Sequence, residues 1–134
     1  MPTREYSELM IPMLLEHLEG HSRDGGAGGR QVGGPARMPL VLDVGTGEGQ
    51  VARAVTDGLG WPVLGCDLSW TQVAEARRRG GGPLYLRCSA TALALSGSSV
   101  DAVVACLLLE HVADLAGVLG ELARCCARMA ACWW

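Results

Sequence analysis

The stretch from Val41 to Gln50, VLDVGTGEGQ, constrains this chain more than any other. An apolar run ends in three glycines at every second position, Gly45, Gly47 and Gly49, and Asp43 stands two places before the first of them. A short continuous apolar run such as PLVLDV is expected of a central parallel strand buried on both faces. Glycines directly after it leave a bare backbone that a ligand can approach closely.

The same alternation continues downstream. QVARAVTDGLG places Val51, Ala52, Val55 and Leu59 on one helical face, with Gly60 as the stop. WPVLGCDL reads as a second strand ending in Asp67. SWTQVAEARRR has Ser69 and Gln72 at capping-box spacing and ends on Arg77, Arg78 and Arg79, where a helix C-terminus favours cations. PLYLRCS predicts a third strand, SGSSVDAVVACLLL a turn into a fourth, and EHVADLAGVLGELARC a helix with Val118, Leu119 and Leu122 in its stripe. Alternating units of this kind predict an α/β fold, a parallel sheet with helices on both faces, whose ligand sits at the carboxyl ends of the strands.

Upstream, residues 5–19 carry apolar residues at helical spacing interrupted by Pro12, which predicts a helix starting near Pro12 and ending at Gly20. Residues 20–38 are rich in glycine and read as a flexible linker. The expected organisation is an N-terminal helix over 1–19, the linker over 20–38, the ligand-binding domain over 39–124 and an atypical tail over 125–134.

Composition narrows the function classes. A chain of 134 residues suits one domain. A net charge of -3 offers no basic surface to nucleic acid or an anionic membrane. The chain has no lysine, which excludes a Walker A site. The first fifteen residues include Arg4, Glu5 and Glu8 and do not read as a signal peptide, and the apolar run from Ala102 to Leu109 is too short to span a bilayer. A cytoplasmic protein is expected. Of six cysteines, Cys66, Cys88 and Cys106 lie in or at the end of apolar runs, and free thiols are expected. Cys125, Cys126 and Cys132 lack a paired C-x-x-C, so no metal site is expected.

Three ligands suit a bare turn beside a carboxylate: a dinucleotide, a mononucleotide phosphate and S-adenosylmethionine. The dinucleotide fingerprint is G-x-G-x-x-G, whereas here the spacing is G-x-G-x-G and position 50 is Gln. Asp67, 24 residues after Asp43, can accept two hydrogen bonds from a ribose diol of either NAD or S-adenosylmethionine. Asp43 separates them: a carboxylate beside the turn repels a pyrophosphate and suits a ligand with an ammonium and a sulfonium.

VLDVGTGEG, then VLGCDLS, then VDAVVACLLLEHVADL resemble the class I S-adenosylmethionine-dependent methyltransferases, in particular the methyltransferase type 11-like branch, from about Leu40 to Arg124. The resemblance implies a Rossmann-like sheet of which this chain holds strands 1–4 of the usual seven, in the order 3-2-1-4. It implies that Asp43 and the backbone from Gly45 through Thr46 and Gly47 to Gly49 face the methionine part of the cofactor. Asp67 would bind the ribose hydroxyls, Leu68 would lie against adenine, and Cys106, Leu107 and the EHV turn would lie under the cofactor. Where the family often has an Asp after the third strand this chain has Ser89 and Ala90, so Ser89 or a backbone N–H would meet adenine.

Each residue also has a plain structural use. The glycines make a tight turn, Asp67 precedes the Ser69 cap, and Glu110 and His111 can start a helix. The expected reaction is methyl transfer to a small-molecule acceptor. If the acceptor must lose a proton, His111 is the candidate base. A non-catalytic cofactor-binding fragment and, further off, an NAD-binding module are the alternatives. The family continues past the ELAR helix with a Pro-Gly-Gly-type turn and more strands. ELARCCARMAACWW does not, so truncation after the fourth strand and self-association through its uncovered apolar edge are expected.

Overall fold

Four parallel strands pair side by side in the computed structural model, which describes residues 4–24, 38–106, 108 and 111–126. They are β1 (Val41–Val44), β2 (Val63–Asp67), β3 (Leu84–Arg87) and β4 (Ala102–Val104), in the order β3-β2-β1-β4. β1 lies at the centre, with Asp43 opposite Gly65 on one side and Val104 on the other. The order is the one expected, and it reverses at β1, where open α/β sheets bind ligands.

The alternation of side chains along each strand builds two cores. Val41, Val63, Tyr85, Ala102 and Val104 face α1 (Arg4–Asp24), α2 (Gln50–Leu59) and α3 (Trp70–Arg79), which contribute Leu14 and Leu18, Ala52 and Val55, and Val73 and Ala76. Leu42, Val44, Cys66 and Val103 face α4 (Leu115–Cys125), which contributes Val118, Leu122 and Cys125. Helices therefore cover both faces. Leu119, expected in the α4 stripe, is 44% exposed, because it lies one residue round from Val118 on the outer face.

Local signals act as expected at most helix ends. Ser69 Oγ accepts the Gln72 N–H at 3.4 Å, and Gly60 closes α2 at φ 68°. The Ser69 N–H bonds Asp67 Oδ1 at 2.9 Å, so the partner of that N–H is a carboxylate of β2. α4 starts later than EHV, at Leu115, because the Asp114 side chain caps the Gly117 N–H at 2.9 Å.

Three expectations need correction. The first helix runs from Arg4 to Asp24, straight through Pro12 and past Gly20. An internal proline costs about 3 kcal/mol, and here fully buried Leu14 and Leu18 offset it by packing on the first core. The run from Ala102 to Leu109 is not one strand: β4 ends at Val104, and the Leu108 side chain packs against Gly45 of the glycine turn. The edge of β4 is not bare at its start either. The chain leaving α4 is extended at Cys126 and bridges Val100 in parallel, and Val100 N–H donates to the Cys125 carbonyl at 3.0 Å. Cys66, Cys88 and Cys125 are free thiols, and Cys132 and the rest of the tail from 127 lie outside the described residues. No helix among the described residues is long and apolar enough to cross a membrane.

Candidate cofactor site

The turn after β1 is held in place from below and from the side. Gly45 and Thr46 N–H groups both donate to the Cys66 carbonyl, at 2.8 and 2.9 Å, which fastens the start of the turn to β2. Gly47 N–H donates to Asp67 Oδ2 at 3.0 Å, and Gly49 N–H closes the turn on the Thr46 carbonyl at 2.9 Å. Gly45, Gly47 and Gly49 have φ of 72°, 57° and 86°, a region in which side chains with a Cβ are strained.

The three glycines nevertheless serve different ends. A Cβ on Gly47 would meet nothing within 4 Å, so its outer side is open. A Cβ on Gly45 would come within 3.0 Å of Leu108 Cδ1, and one on Gly49 would overlap Tyr85 Oη and lie 2.8 Å from Arg53 Nη1. Of the three, Gly47 alone presents open backbone, while Gly49 makes room for side chains beneath the turn.

Two carboxylates hold the turn, Asp43 through Thr46 and Asp67 through Gly47. Asp43 is 2% exposed, and its Oδ2 accepts the Thr46 hydroxyl at 2.8 Å. Burial pushes its pKa up to about 7, the Asp67 charge raises it too, and the bonds from Thr46 and the Ala52 backbone pull it down. Asp67 is half-buried, with Oδ2 on Gly47 N–H and Oδ1 on Ser69 N–H. Each oxygen keeps a second lone pair for a donor from outside. No arginine hydrogen-bonds either carboxylate among the described residues. Next to Asp67, the Leu68 side chain is 62% exposed, an apolar surface beside a polar site.

Ser89 and Ala90 follow β3 and are half-buried. The Ser89 hydroxyl pairs with Thr91 Oγ1 at 2.8 Å, so it is engaged locally. The segment that carries them is tied to α4: Glu121 accepts Leu93 N–H at 2.8 Å, and Arg124 donates to the Leu95 carbonyl at 2.8 Å. Arg124 in turn holds the Glu121 carboxyl down to about 2. Cys106 is half-buried against the first core. His111 is exposed, and its N–H bonds the Leu108 carbonyl at 3.0 Å. Leu108 itself leans on Gly45 of the glycine turn. Leu107 and Glu110 lie outside the described residues.

Sequence reasoning did not single out Leu108, Tyr85 or Arg53. The ring of Tyr85 passes under Gly65, whose Cβ would come within 2.8 Å of Tyr85 Cδ1. Its buried hydroxyl lies against the Arg53 guanidinium without a hydrogen bond of proper geometry. Burial raises its pKa above the usual phenol value, with Arg53 acting the other way.

A family model described as a methyltransferase domain matches residues 42–132. A curated relative, a malonyl-[acyl-carrier protein] O-methyltransferase of Enterobacter lignolyticus (strain SCF1), is 33% identical over 88 residues, 66% of this chain and 35% of that protein. The solved PH0226 protein of Pyrococcus horikoshii OT3 matches with a TM-score of 0.75 at 20% identity, over 94% of this chain and 56% of that one. A SAM-dependent methyltransferase structure from Methanosarcina mazei gives 0.63 at 22% identity, over 68% and 49%. These two likenesses establish the fold. The chain spans about a third of the curated relative and about half of these two structures. With the family model covering more than half of its length, the chain belongs to the methyltransferase-domain family.

Proposed function

We propose that the turn after β1 binds S-adenosylmethionine and that the chain serves methyl transfer to a small-molecule acceptor. The observation that carries this reading is the pair of carboxylates, Asp43 on Thr46 and Asp67 on Gly47, at a turn whose middle glycine, Gly47, has an open outer side. A pyrophosphate would be repelled there, while a sulfonium and an ammonium would be attracted. When bound, S-adenosylmethionine supplies an electrophilic methyl group on a sulfonium sulfur.

The residues fit that group. In this reading Asp67 accepts the ribose hydroxyls with the lone pairs that Gly47 and Ser69 leave free. Leu68 covers one face of adenine, and Ser89 and Ala90 border it. Gly47 admits close approach of the methionine part. Buried Asp43 accepts the Thr46 hydroxyl and so holds the start of the turn in place. Cys106 lies beneath the cofactor. If the acceptor must lose a proton, an imidazole nitrogen of His111 receives it. The site's main task is alignment and exclusion of water.

The alternative reading is a chain that binds the cofactor without turnover. A cytoplasmic, reducing setting suits the free thiols of Cys66, Cys88 and Cys125. Self-association would use the outer edge of β4 beyond the Val100–Cys126 bridge.

The test is thermal unfolding with S-adenosylhomocysteine or NADH, followed by transfer of labelled methyl to a cell extract. Ligand at about a hundred times its Kd stabilises the fold by about 2.7 kcal/mol. An upward shift with S-adenosylhomocysteine alone supports the binding reading, and a shift with NADH alone overturns it. Label transfer decides between enzyme and binder.

A further inference from the structure

Three glycines from three different places vacate space for the same two side chains. Gly49 at the start of α2 and Gly65 in β2 leave room for Tyr85, and Gly81 after α3 leaves room for the stem of Arg53, whose Cδ would lie 2.7 Å from a Cβ there. The two side chains converge beneath the glycine turn. Arg53 Nη1 donates to the Glu48 carbonyl at 2.7 Å, the carbonyl between Gly47 and Gly49. Tyr85, 4% exposed, fills the space below Gly49 and beside that guanidinium. The Glu48 side chain is tied outside by Arg79 at 3.0 Å. Gly47, with its open outer side, is therefore fixed by Asp67 through its N–H and by Arg53 through the next peptide.

A glycine-rich turn has many conformations available, and binding affinity falls by the fraction of time it spends outside the competent one. A charge-assisted bond to a turn carbonyl restricts that freedom. We propose that Arg53 and Tyr85 are positioning residues for the ligand-binding turn: the phenol wedged below Gly49 holds the guanidinium against the Glu48 carbonyl and so fixes the open face of Gly47. The affinity part of this inference rests on the cofactor reading above, whereas the positioning part stands on the turn itself.

The experiment uses the full chain with Arg53→Met, which keeps the stem and removes the donors, and Arg53→Lys, which returns one. Tyr85→Phe keeps the wedge, and Tyr85→Ala removes it. Amide hydrogen exchange is followed at Gly47 and Gly49 and in β1, beside calorimetric titration with S-adenosylhomocysteine. Arg53→Met is expected to speed exchange at the two turn amides and to weaken binding, each about tenfold, as loss of a charge-assisted bond implies. β1 exchange stays unchanged, Arg53→Lys recovers most of the effect, and Tyr85→Ala speeds exchange at the two turn amides more than Tyr85→Phe does. Unchanged turn exchange in a folded Arg53→Met chain overturns the proposal, as does uniform acceleration across β1. If Arg53→Met does not fold, Arg53→Lys against Tyr85→Ala decides by the same amides. A parent chain that binds no S-adenosylhomocysteine defeats the cofactor reading, and the exchange comparison then still decides positioning.

Discussion

Asp43 should make this fold less stable as the pH rises, the reverse of the usual behaviour of a paired carboxylate. Its carboxyl is 2% exposed, and burial lifts its pKa from 3.8 to about 7, with help from the Asp67 charge and against the Thr46 hydroxyl. Between those two values the native chain holds a proton that the unfolded chain has released. Stability therefore falls as pH rises through this window and levels off above about 7. The slope reaches about 1.4 kcal/mol per pH unit, and the whole window amounts to about 4 kcal/mol. That is a large part of the stability of a small domain. Asp43→Asn keeps an acceptor for Thr46 and removes the charge. Urea unfolding of both proteins from pH 4 to pH 8 should show the variant gaining on the parent by about 1 kcal/mol or more per unit. The difference between the two curves removes other groups. Glu75 and Glu121, held down to about 2 from 4.5 by arginines, act on stability only at the acid end of the window and equally in both proteins. A difference that stays flat with pH would refute the reasoning.

Other outcomes follow from the same geometry. Gly49→Ala, which must push Tyr85 and Arg53 aside at φ 86°, should cost about 2–4 kcal/mol in urea unfolding. Gly47→Ala meets open space and should cost only the backbone strain, about 1–2 kcal/mol. Leu18→Ala, at a fully buried position of α1, should lose about 2–5 kcal/mol and lower the thermal midpoint, since α1 is part of the first core. A chain indifferent to Leu18→Ala would mean that α1 is only an appendage.

Much of the fold is legible because its signals are local and agree with one another. β1 and β2 are short apolar runs, and Ser69 and Gly60 are placed where side-chain and backbone bonds require them. The sheet order comes from resemblance, since apolar runs alone do not choose neighbours. Pro12 misleads because tertiary burial of Leu14 and Leu18 outweighs a local penalty. The run from Ala102 to Leu109 misleads because a buried strand and a segment packed against a turn have the same composition. The carboxylates of the site stand out in the sequence beside a glycine turn. The inward roles of Gly45 and Gly49 do not, because they depend on Leu108, Tyr85 and Arg53, which arrive from three other places in the fold. Three glycines in one motif look alike on paper, and only the packing shows that Gly47 alone has an open outer side.

The central claim is that this open side, next to Asp67, receives S-adenosylmethionine. The most direct test is calorimetric titration of the folded chain with S-adenosylhomocysteine, beside Asp67→Ala. Saturable binding at one site per chain, lost in Asp67→Ala while its cooperative unfolding remains, is the predicted result. A folded parent chain that gives no saturable heat, or a variant that binds as well as the parent, would contradict the account.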